Sequence, residues 1–117
     1  VWLVKTTDRF DRWFSLLNDT DRACVLAALM VLREKGPGLG RPYADTLRGS
    51  AYINMKELRI QSRGDPIRAF FAFDPNRTAV VLCAGNKAGS DKRFYREMLP
   101  IADREFTHWL NTFKYRE

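Results

Sequence analysis

The chain opens on "WLVK", a short stretch that reads as a first strand. Phe10, Trp13, Phe14 and Leu17 then recur at intervals of three and four, the spacing of one apolar helix face. Thr7 or Asp8 stands where a side-chain oxygen can accept from free first-turn N–H groups, and so caps that helix. "NDTD" breaks the pattern and starts another. Val25, Ala28, Leu29 and Leu32 form the second stripe, which Gly36 and Pro37 end. Two short antiparallel helices are expected.

"GPGLGRPYADTLRGS" is a loop by composition. Three strands are expected after it, near 51–60, 66–73 and 78–85. "SRGD" joins the first two, with Gly64 available for a positive φ, and "DPNR" supplies the second tight turn. Connections this short make an antiparallel meander. Ser90 or Asp91 can cap a last helix carrying Phe94, Tyr95 and Met98. Pro100 is expected to kink or interrupt it, before a second stretch with Ala102, Phe106, Trp109, Leu110 and Phe113 on one side. The order β-α-α-β-β-β-α predicts an α+β fold: an antiparallel sheet with helices packed on one face and the other face free.

A length of 117 residues fits one domain, 1–117, with an ordinary core. Hydrophobic content of 45% and charged content of 29% belong to a folded chain rather than a disordered one. No apolar run is long enough to span a bilayer, and "VWLVKTTDRF" lacks the regions of a secretion signal. The expected compartment is the cytoplasm, with no membrane partner. Cys24 and Cys83 lie in apolar stretches and read as buried small residues rather than a disulfide or ligand pair.

Charge changes the picture more. The net charge is +6, and residues 56–96 hold 9 basic against 4 acidic side chains. Such a local excess suits a polyanion, because Lys and Arg displace counterions from phosphates; a solubilising surface is the plainer alternative. Strand alternation sharpens the choice. Leu58 and Ile60 point one way, Glu57 and Arg59 the other; Ile67, Ala69, Phe71 and Phe73 share a side, with Arg68 and Phe70 opposite. Arg59 and Arg68 therefore share one face, and Lys87, Lys92, Arg93 and Tyr95 can converge at one end of the sheet. Guanidinium forks grip phosphate with paired hydrogen bonds and stay charged. Cross-strand ion pairs, such as Glu57 with Arg68, are the structural alternative.

Other chemistry is sparse. His108 is the one histidine and reads as a helix-surface or core-edge residue, so a two-histidine nuclease is excluded by count. No Cys/His spacing supports zinc, and "GPGLG" is no nucleotide-binding loop, so neither metal nor cofactor is expected.

Taken together, the order of elements, "MKELR", "IRAFFAFD" and "VVLCAGNKAG…FY" resemble the RelE/ParE superfamily of bacterial toxin–antitoxin toxins, nearest its HigB-like, phage-derived branch. The resemblance covers nearly the whole chain. It implies a ribosome-dependent, metal-independent endoribonuclease that cuts mRNA in the ribosomal A site and stops translation. In that reaction the ribose 2′-OH attacks the adjacent phosphate, leaving a 2′,3′-cyclic phosphate and a free 5′-OH. By resemblance Arg59, Arg68 and Lys87 are the catalytic cations, with Lys87, Lys56 or a free Glu57 as base. Lys56, Arg63, Lys92, Arg93 and Tyr95 are the expected RNA-binding residues. The implied partners are the ribosome, mRNA and a cognate antitoxin, of helix-turn-helix type in the HigB branch. The competing readings are a ParE-like inhibitor of DNA gyrase, which shares the scaffold, and a non-catalytic nucleic-acid-binding relative.

Overall fold

The computed structural model describes residues 1–115, with side chains through Phe113. Strand β1 (Val4–Thr6) leads into helix α1 (Asp8–Ser15), which Thr7 caps by accepting from the Phe10 N–H. Helix α2 (Asp19–Lys35) starts the same way on Asn18 and stops at Gly36, whose φ of 57° suits glycine. After a 3₁₀ turn come β2 (Ala44–Thr46), β3 (Lys56–Ser62), β4 (Asp65–Phe73), β5 (Ala79–Asn86) and α3 (Asp91–Asn111).

The meander β3-β4-β5 forms as expected, in the spatial order β1-β5-β4-β3-β2. The sheet is not wholly antiparallel: β1 lies parallel to β5, with Val4 opposite Ala79. Strand β2 lies inside the stretch expected to be loop. Three residues are too few for a period-2 signal, and only pairing with Lys56–Leu58 makes Ala44–Thr46 a strand. Residues 51–54, expected in a strand, form a turn instead.

Helices cover both sheet faces, which corrects the expected single helical layer. Phe10, Val25 and Leu32 of α1 and α2 pack on Leu58, Ile60, Ile67, Ala69, Phe71 and Val81. On the opposite face, Ala102 and Phe106 of α3 pack on Phe70, Ala72, Val80 and Leu82. A bulge opposite Phe70/Phe71 puts both Leu82 and Cys83 on the α3 side. The sign of this second layer was present in the sequence: "AFFAF" and "AVVLCA" are near-continuous apolar runs, as strands buried on both faces require.

Pro100 does not break α3, which runs unbroken through Asn111. Its missing N–H costs one helical bond, but the turns on either side are held down by Met98, Leu99, Ile101 and Ala102. Trp109 adds a hydrogen bond at 2.9 Å to Asp74, the residue that also organises the β4–β5 turn by accepting from the Asn76 and Thr78 N–H groups. Among the described residues no helix is long and apolar enough to cross a membrane.

Candidate active site

The second sheet face is only partly covered. Helix α3 lies over β4 and β5, and the start of that helix meets the β3 side, where Glu57, Arg59 and Arg68 project. Arg59 and Arg68 are direct cross-strand partners in the β3–β4 register. Like charges so placed repel, unless an anion lies between them. Glu57 is that anion. Only 3% of it is exposed, and its carboxylate accepts from Arg59 Nε at 3.2 Å and from the Tyr95 hydroxyl at 2.6 Å.

Arg68 is held more loosely. Its Nε stands 3.9 Å from Glu57, too long for a hydrogen bond, and is buried without a partner; one terminal nitrogen donates to the Ile67 carbonyl at 3.1 Å. A buried guanidinium N–H left unbonded is costly. Asp45 takes a second bond from Arg59 at 3.2 Å and also pairs with Arg41.

Lys87 approaches from the end of β5. Its backbone N–H bonds to Pro66, its ammonium pairs with Asp91 at 3.5 Å, and it lies 6.0 Å from the centre of the Tyr95 ring. Tyr95 therefore joins the two halves of the cluster, its ring between Lys87 and the sheet and its hydroxyl on Glu57. Burial, then the hydrogen bond to Glu57, push its phenol up to about 12. At neutral pH it is a hydrogen-bond donor and not a base. In this end of the sheet Arg41, Arg59, Arg68 and Lys87 face Asp45, Glu57 and Asp91, so positive charge exceeds negative.

The sequence-expected residues divide accordingly. Arg59, Arg68, Lys87 and Tyr95 are brought together. Lys56 alternates with Glu57 and so leaves the opposite face of β3, away from the cluster. Arg63 sits at the β3–β4 turn with φ 52° and pairs with Asp21 of α2 at 3.2 Å. Lys92 and Arg93 lie exposed in the first turn of α3, Arg93 paired with Glu97. Glu57 is not a free carboxylate. Its central place was only half legible: alternation puts it on the Arg59 face, but nothing in the sequence says that Tyr95 reaches it. Asp45 carries no sequence signal, because its three-residue strand is too short to show a period. His108 is exposed on α3, near Arg9 and Glu105 and far from this cluster, as a helix-surface residue should be.

Residues 12–107 match the model of the phage-derived Gp49-like protein family. The chain belongs to that family. It is 47% identical over 100 residues to putative toxin HigB3 of Mycobacterium tuberculosis, covering 86% of each chain. To putative toxin HigB2 of the same organism it is 45% identical over 108 residues, covering 92% of this chain and 54% of that one; it thus spans about half of HigB2. Its fold is that of RelE: a chain of the intact Escherichia coli RelBE toxin–antitoxin complex superposes with a TM-score of 0.57 at 15% identity, over 73% of this chain and 95% of the other. This member of the Gp49-like family is thus a relative of the HigB toxins.

Proposed function

We propose that this chain, as a single toxin domain over 1–117, is the toxin of a type II toxin–antitoxin system and a ribosome-dependent mRNA endoribonuclease that acts in the cytoplasm. The supporting observation is the Arg59–Glu57–Arg68 cluster bridged by Tyr95 to Lys87. Cleavage by 2′-OH attack is a transesterification: the P–O2′ bond forms as the P–O5′ bond breaks. It needs a place for the phosphate, stabilisation of the pentacoordinate phosphorane, and transfer of a proton from the 2′-OH and to the departing 5′ oxygen. Arg59 and Arg68 hold the scissile phosphate and its developing charge. Glu57 preorganises the Arg59 guanidinium through a hydrogen bond and offsets the charge of Arg68 from 3.9 Å, so little reorganisation is needed during reaction. Lys87 serves proton transfer, because Lys56 leaves the other face and Glu57 is occupied. The chemistry so described needs no metal.

The outer cations Lys92 and Arg93 give the RNA-facing side a diffuse attraction for phosphate, as docking on ribosomal RNA requires. A cognate antitoxin, of helix-turn-helix type as the HigB-like branch suggests, covers the cationic end and silences it. The RelBE complex among the structural relatives is an example of a toxin of this fold held by its antitoxin.

The test is primer extension on mRNA translated in vitro with wild type, Arg68→Ala, Arg59→Ala and Lys87→Ala. Removing one preorganised donor costs about 10²–10³-fold in rate, so cuts by the arginine variants should nearly vanish. Wild-type protein that leaves translated mRNA intact, or cuts unchanged in all three variants, overturns the proposal. Inhibition of gyrase supercoiling without cuts would point to the ParE-like alternative.

A further inference from the structure

A cleft of about 520 Å³ lies between α2 and the outer edge of β3, and the mechanism above does not use it. Its walls include Ala27 and Ala28 of α2, the Tyr43 ring, and Gln61 of β3, and Arg59 and Arg68 stand at its polar end. We propose that this cleft seats the nucleobase next to the scissile phosphate, with Tyr43 stacking on the base and Gln61 hydrogen-bonding its edge. The inference rests on the reading of Arg59 and Arg68 as phosphate-holding groups.

Volume, stacking face and flat wall fit a base, and the polar groups at its edge separate a base from a merely apolar group. The volume lies within the range of small-ligand sites and exceeds what a single base needs. Tyr43 is 61% exposed, an aromatic face that stays in water unless something stacks on it. The alanines leave a flat, shallow wall on the other side, where a longer side chain would fill the space. The β3 edge is also open here. Strand β2 pairs only with Lys56–Leu58, and the last bond on that side runs from the Arg59 N–H to the Tyr43 carbonyl. Past it, the exposed Gln61 amide offers both a donor and an acceptor, which a base edge can use and a hydrocarbon cannot. The charge arrangement sets the orientation: phosphate at the arginine end, base toward α2. A single-stranded ribonucleotide meets both demands within one residue's length.

Binding can be read without ribosomes. The full chain is titrated with the four 3′-mononucleotides and with inorganic phosphate, following the Ala27 and Ala28 methyl and Gln61 side-chain amide NMR signals. Nucleotides should move all three sets of signals, and phosphate should leave the alanine methyls unmoved. Tyr43→Ala, at an exposed position, should weaken nucleotide binding roughly tenfold, as loss of one stacked base does, with phosphate affinity unchanged. Ala27→Leu, which fills the cleft, should do the same. In the translation assay both variants should alter which nucleotides flank the cuts. Equal methyl shifts from phosphate and nucleotides, or an unchanged cut pattern in both variants, overturns the base site while leaving the nuclease reading intact. Nucleotide binding by a chain that cuts no mRNA would do the reverse. Methyl shifts only from an acidic, apolar peptide would make the cleft a protein-docking groove and also sink the inference.

Discussion

Replacing Glu57 by Gln tests the organisation of the whole cluster with a side chain of nearly the same shape. The carboxylate offers two acceptors: one takes the Tyr95 hydroxyl at 2.6 Å, the other Arg59 Nε at 3.2 Å. An amide has one oxygen and one NH₂ group. Turned one way, its NH₂ faces the Arg59 Nε–H, donor against donor; turned the other, the Tyr95 hydroxyl must switch from donating to accepting. Arg59 and Arg68 then also stand opposite each other across β3 and β4 with no buried anion between them. Removing one partner of a buried ion pair costs about 3–5 kcal/mol. Arg59 is a third exposed and keeps Asp45, so the cost here is discounted to about 1–3 kcal/mol. Urea denaturation should show the midpoint falling by about 1 M at an unchanged m value. A second readout is the ionisation of Tyr95. Burial is the largest cause of its rise to about 12 and Glu57 the next, so in Glu57→Gln the midpoint should fall but stay above the ordinary value near 10. The sign for stability follows. A raised phenol favours the folded state below the unfolded pKa, and that contribution is lost as pH rises toward the folded value. The alkaline loss begins near the same pH in both proteins, set by the unfolded phenol, and should be smaller and complete at lower pH in the variant. A urea midpoint equal to wild type, together with an unmoved Tyr95 titration by NMR, would refute the idea that Glu57 holds the cluster together.

Gly36→Ala should destabilise the chain by about 1–3 kcal/mol in urea titration, because φ is +57° and the added Cβ would run into the Trp2 indole. Cys83, 2% exposed with its thiol pushed up to about 12 by burial, should resist a thiol reagent in the native state and react only on unfolding, whereas Cys24 should react earlier. Asp21 is held below its ordinary carboxylate pKa first by the Ser62 hydroxyl at 2.5 Å and then by Arg63. Its contribution is present above about pH 4 and lost as pH falls through the lowered value, so Ser62→Ala should raise the Asp21 midpoint measured by NMR and flatten that acid dependence.

Local order was legible because its causes are local. The Thr7 cap, the stripe of Phe10, Trp13 and Phe14, the break at Gly36, and the two tight turns at Gly64 and Asp74–Arg77 each depend on a few neighbouring residues. Alternation likewise assigned Arg59 and Arg68 to one face, since a strand's period needs no tertiary contact. Pro100 misled the expectation because propensity weighs one missing hydrogen bond, while packing on both sides of it holds the helix. Strand β2 is not legible in the sequence because three residues carry no period of their own.

From the sequence alone came the element types, the meander, the shared face of the two arginines and the family resemblance, all of which reside in short-range spacing or in motifs. Only tertiary structure placed α3 on the second face, set β1 parallel to β5, and brought Tyr95 onto Glu57 from 38 positions away. Those outcomes depend on which apolar surface covers which, and on whether a buried carboxylate finds donors enough to stay charged. Spacing along a chain does not record either.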